Sequence, residues 1–135
     1  MSMFSNSIHF LLLLGFVSST VALTCYENHP VTDEIIEVTS DDYTYCSLVP
    51  KNDGPGRVFG VGPEIDSVQA YDATFKSSVK NYSVLTVCLY EKYDYHFMRS
   101  IKTSEYMFRC VCNFNLCNTP TNFPQFLQKQ KQHSL

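Results

Sequence analysis

The last three cysteines of this chain stand within eight residues: Cys110-Val111-Cys112-Asn113-Phe114-Asn115-Leu116-Cys117, followed by Asn118. In a strand, Cys110 and Cys112 point to the same face, so each can reach a different partner. The segment Cys112 to Cys117 can close a tight loop on itself. The side-chain amide of Asn118 can hydrogen-bond backbone groups of neighbouring strands. Cys25, Cys46 and Cys88 lie upstream. Six cysteines permit fifteen pairings, and counting alone does not choose among them.

The N-terminus says which chemistry these thiols meet. Ile8 to Val17 reads IHFLLLLGFV, and Thr20 and Ala22 supply small residues at the −3 and −1 positions of a cleavage site. No Asp, Glu, Lys or Arg occurs in the first 22 residues. This predicts a secretory signal peptide over residues 1–22. The apolar run is shorter than the roughly 20 residues that span a bilayer. Cleavage leaves Leu23 to Leu135, 113 residues that keep all six cysteines. In an oxidising compartment an even number of cysteines implies disulfides. The polar end TPTNFPQFLQKQKQHSL lacks the hydrophobic tail of a glycolipid-anchor signal. A soluble, secreted, extracellular protein is expected, with no stable membrane insertion and no lipid anchor.

The remaining chain reads as strands and turns. Glu34–Thr39, Tyr43–Val49, Lys80–Tyr90 and Ser104–Cys112 are rich in β-branched and aromatic residues. In the last of these, Tyr106, Phe108, Cys110 and Cys112 share one face, and Met107 and Arg109 share the other. No window holds a sustained 3.6-residue apolar period, so no helix is predicted. Pro50–Pro63, with three Pro and four Gly, reads as a long exposed loop. Arg57 and Phe59 within it are candidate partner contacts, with Phe59 folding back onto the core as the alternative. Glu91–Thr103 reads as a second loop, where Tyr93, Tyr95 and Phe97 would fall on one face of an extended hairpin, either as candidate partner contacts or packed against a neighbouring strand. Residues 119–135 hold a Gln/Lys run and two Pro, and are expected to be a loosely ordered tail. Asn81-Tyr82-Ser83 is a glycosylation sequon, so Asn81 is a candidate modification site.

Charge and motifs exclude several functions. A net charge of −3 and a pI near 5.7 give no reason to expect nucleic acid as a partner, because binding a polyanion normally needs a basic face. No nucleophile elbow, zinc-protease, P-loop or dinucleotide-binding motif occurs. His29, His96 and His133 are scattered. Secreted thiols oxidise before they find zinc. Asp33-Glu34 and Asp41-Asp42 are adjacent pairs, which point to opposite faces of a strand. No enzyme, no cofactor and no metal are expected.

The two ends of the expected mature chain resemble the three-finger, or Ly6/uPAR-like, family. The opening Leu23-Thr24-Cys25-Tyr26 matches the family's L-x-C-Y start, and Cys112-x4-Cys117-Asn118 matches its ending. The resemblance spans Leu23 to Asn118. It implies an all-β fold: a disulfide palm with three β-hairpin fingers. It also implies the pairs Cys25–Cys46, Cys88–Cys110 and Cys112–Cys117, and a structural role for Asn118. The chain departs from the family in having six cysteines where eight or ten are usual, and in spacing Cys110 and Cys112 by Val111. The function implied is a secreted module whose finger loops bind a receptor, channel or other extracellular or cell-surface protein. The alternative is a structural or toxin-like defensive protein, against which the acidic balance argues.

Overall fold

The computed structural model describes residues 22–94 and 104–134. Its elements are β1 (Leu23–Asn28), β2 (Ile35–Ser40), β3 (Tyr45–Val49), β4 (Arg57–Val61), α1 (Gln69–Phe75), β5 (Val87–Asp94), β6 (Ser104–Cys112) and α2 (Phe123–His133). Successive strands form three antiparallel hairpins, β1–β2, β3–β4 and β5–β6. β3 also pairs with β6, which joins the last two hairpins into a four-stranded sheet of order β4-β3-β6-β5. The fold is small, mostly β and disulfide-rich.

Strand alternation divides this sheet into two faces. Cys46, Leu48, Val58, Cys110 and Cys112 are buried on one face, beneath Cys25 of β1 and Phe126 of α2. Tyr45, Val61, Val87 and Val111 lie on the other, beneath Val68 and Tyr71. All three disulfides belong to the first face: Cys25–Cys46, Cys88–Cys110 and Cys112–Cys117. They are the pairs that the resemblance implies. Cys88 and Cys110 are directly opposed in the β5–β6 register.

Asn118 is fully buried and ties the first hairpin to the sheet. Its Oδ1 accepts from the Tyr26 amide at 3.0 Å, and its Nδ2 donates to the carbonyls of Tyr26 and Ser47, each at 2.9 Å. One side chain thus satisfies three backbone groups of two strands.

The structure corrects several expectations. Pro50–Pro63 is not one long exposed loop, because Arg57–Val61 forms β4 and Val58, Gly60 and Val61 are buried. Gly60 does not weaken this strand. The Tyr43 ring lies where its Cβ would stand, 2.4 Å from the nearest ring carbon. The outer edge of β4 is closed by side chains of β1. Gly60 N–H donates to Glu27 Oε1 at 2.9 Å, and Val58 N–H donates to Asn28 Oδ1 at 2.8 Å. The predicted strand Lys80–Tyr90 starts at Val87 and runs on to Asp94, into the segment expected to be loop.

Two helices appear where none was predicted. α1 is short and holds on through Tyr71 and Phe75, with the Phe75 ring stacked on Tyr45 at 5.1 Å. α2 occupies the expected loose tail. Asn122 caps it by accepting from the Gln125 amide, and Pro124 sits in its first turn. Phe126 is fully buried, and Gln130 Nε2 donates to the Cys117 carbonyl at 2.9 Å. Burying one Phe contributes about 1.5–3 kcal/mol toward holding this capped helix against the sheet. Among the described residues, no helix is long and apolar enough to cross a membrane.

Candidate functional site on the β5–β6 hairpin

The hairpin β5–β6 has one face turned to a buried charge network and the other turned outward. On the inner face Arg109 is 1% exposed. Its Nη1 meets Asp66 Oδ2 at 2.5 Å, and its Nη2 donates to Glu91 Oε1 at 2.9 Å. Its Nε lies 2.9 Å from Glu91 Oε2 and donates to the Tyr71 hydroxyl at 3.1 Å. The Tyr71 hydroxyl in turn donates to Glu91 Oε1 at 2.7 Å. The guanidinium also lies 5.3 Å from the Tyr71 ring centre and 5.9 Å from that of Tyr93.

Burial by itself would lower the Arg109 pKa. Hydrogen bonds to Glu91, Asp66 and Tyr71 outweigh it, so the pKa is raised and the charge is kept. Burial and the Glu91 hydrogen bond raise the Tyr71 pKa. Burial also raises that of Tyr93, beside the same charges. Both carboxylates are engaged with one guanidinium, so neither is set up as a general acid or base. The network's work is structural. It pins β5 and β6 to α1 and to the turn that precedes it.

The outer face starts at the Cys88–Cys110 disulfide. Next along it, Tyr90 opposes Phe108, and then Lys92 opposes Tyr106. The Tyr90 and Tyr106 rings stack at 6.0 Å, diagonally across the pair. Phe108 meets the edge of Phe123 on α2 at 5.7 Å. The helix stops covering the hairpin there. Tyr90 is 74% exposed, Tyr106 60% and Phe108 39%. Three large aromatics on a stapled hairpin form an apolar surface with polar tips, the type of side chain that dominates binding interfaces. Arg109 on the inner face and the disulfide on the outer face hold the strand pair in place, so little ordering remains for binding to impose.

The model of a family of unknown function, DUF5354, matches residues 17–131. The chain belongs to this family. An uncharacterized protein of Caenorhabditis elegans, C02B8.3, is 31% identical over 91 residues, which cover 66% of this chain and 67% of the relative. No solved structure matches.

In this DUF5354 protein the residues singled out from sequence scatter over three places. Arg57 and Phe59 both line a hollow of about 360 Å3, with Asn28, Val49, Val58 and Met107. Phe59 is half-buried and packs against the α1-side core. Tyr93 is not at a loop tip. It lies on β5, faces the Arg109 network, and donates to Glu91 Oε2 at 3.2 Å. Tyr95 and Phe97 lie outside the described residues. Asn81 is exposed in a turn between α1 and β5. All six cysteines are paired. Among the described residues no group of three or more His, Cys, Asp or Glu could hold a metal ion.

Tyr90, Tyr106 and Phe108 were missed as a set. Their signal was parity: counted from Cys88 and Cys110, each lies an even number of residues along its strand. The predicted strand ended at Tyr90, so the register that sets Tyr90 against Phe108 could not be drawn.

Proposed function

We propose that this protein is a secreted binding module of the three-finger type, which engages an extracellular or cell-surface protein through the outer face of β5–β6. The exposed, stacked aromatic set of Tyr90, Tyr106 and Phe108 carries this reading. Export is supported by the signal-like N-terminus and by six paired cysteines in a chain of this size. Three successive hairpins and the Asn118 clamp support the three-finger comparison. The acidic balance favours a protein partner over an anionic membrane. The module is read as a binder and not as a catalyst.

The test is binding of labelled, oxidised protein to intact cells of the organism that makes it. Saturable binding that protease treatment of the cells removes is expected. Tyr90→Ser with Tyr106→Ser should weaken it at least about tenfold, since each buried aromatic anchor contributes about 1–2 kcal/mol or more. Wild-type binding by that double variant would refute the aromatic face as the site. Leakage of dye from anionic vesicles would favour a toxin-like protein instead.

A further inference from the structure

The connection from α1 to β5 carries a feature that protein binding does not use. Val79 N–H donates to the Tyr82 carbonyl at 2.7 Å, and Tyr82 N–H donates to the Val79 carbonyl at 3.0 Å. Lys80 and Asn81 therefore form the two-residue loop of a miniature hairpin. The Val84 amide donates to Ser78 Oγ at 3.0 Å, which closes the stem one step further. Residues 79–83 are all exposed. The Asn81 side chain makes no hydrogen bond among the described residues, so nothing in the fold employs its amide. Val79 and Tyr82, on either side of the loop, are 66% and 58% exposed and form an uncovered apolar pair.

We infer that Asn81 carries an N-linked oligosaccharide, set on the α1 side of the sheet and away from Tyr90, Tyr106 and Phe108. This rests on the export reading above. The sequon Asn81-Tyr82-Ser83 supplies the acceptor. In the transfer, Asn81 Nδ2 loses a proton and bonds to the anomeric carbon of a lipid-pyrophosphate-linked oligosaccharide. The bond from that carbon to the pyrophosphate oxygen breaks, and the lipid pyrophosphate leaves with the electron pair. The folded chain accommodates the product because the loop is open and its stem is closed by backbone bonds. Placement follows from the neighbours. α1 precedes the loop and Val84 follows it, and both pack on the Tyr45–Val111 core. The aromatic set points from the opposite face. The glycan covers Val79 and Tyr82 and leaves the binding face bare.

The full chain is expressed in insect cells, both as such and behind a foreign signal sequence. Medium and lysate are treated with an amidase that releases N-glycans and converts the linked Asn to Asp. A single downshift on gels is expected, with Asp found at position 81 by peptide mass spectrometry. Asn81→Gln and Ser83→Ala should both lose the shift, and Ser83→Thr should keep it. If protein with the foreign leader reaches the medium without a glycan, the inference is overturned and the export reading stands. If the foreign-leader form is glycosylated while the native chain stays unmodified in the lysate, the export reading alone fails. In the cell-binding assay, glycosylated and deglycosylated protein should bind alike. A loss on deglycosylation as large as that of Tyr106→Ser would overturn the placement.

Discussion

The two faces of the central sheet are held by different chemistry. On one, three disulfides converge with Leu48, Val58 and Phe126. On the other stand valines, tyrosines and the Arg109 ion network, with no disulfide. The disulfide face restrains the unfolded chain through covalent bonds that salt does not screen. The α1 face depends on a charge that is tolerated only while every partner stays in place. A chain of this size gains stability from both, because neither core is large alone.

Reduction should break the comparison most severely. Chain-entropy estimates give about 3 kcal/mol each for Cys25–Cys46 and Cys88–Cys110, and about 2 for Cys112–Cys117. Urea titration with and without reductant should show the reduced chain unfolded, or nearly so. Survival of a cooperative transition after full reduction would mean that the α1 face suffices.

Arg109→Met attacks the other face. It leaves Asp66 and Glu91 without their cation and should cost about 3–5 kcal/mol with the disulfides intact. The double variant Arg109→Met with Glu91→Gln should recover part of that loss. Equal stability of the single variant and wild type would show that the network only accommodates its charges.

Asn118→Asp sharpens the disulfide side. A carboxylate can still accept from the Tyr26 amide, but it cannot donate to the carbonyls of Tyr26 and Ser47. A loss of about 2–3 kcal/mol in thermal or urea unfolding is expected, with every disulfide still formed.

Alkali should give the smallest effect. Burial, then a hydrogen bond to a carboxylate, raises the pKa of Tyr45 and of Tyr71 above the unfolded value near 10. The folded state then binds more protons than the unfolded state above that pH, so stability falls as pH rises. The stabilisation is complete below pH 10, and about 1 kcal/mol per buried tyrosine is lost by pH 10.5. Absorbance titration should show these tyrosines ionising only on unfolding. Tyr43, on the β1 side, is raised by burial and Glu27 and adds to the same trend.

The β-rich, disulfide-bonded character was legible in the chain. Cysteine parity and the alternation of Ser104–Cys112 report strand geometry directly, because side chains on a strand repeat every two residues. β4 was not legible. Gly60, and Gly56 and Gly62 on either side of the strand, look like breakers until the Tyr43 ring is seen to occupy the space above Gly60. α2 was not legible either, because its apolar face is only Phe123, Phe126 and Leu127, and Gln130 is buried through a carbonyl that a distant turn presents. Contact and packing were both open for Tyr93, because Arg109, the cation it faces, lies on the other strand.

By itself, the sequence determined a small β fold with paired cysteines. Cysteine spacing, strand alternation and the Asn118 position are local properties of the chain. Only tertiary structure decided which aromatics are inside and which are outside. Tyr93 and Tyr90 sit on the same strand, three residues apart, on opposite faces. Tyr93 turns toward a buried cation, and Tyr90 is left exposed. What covers each face comes from elements far away in the chain, so the binding surface is set by packing and not by the composition of the strand that bears it.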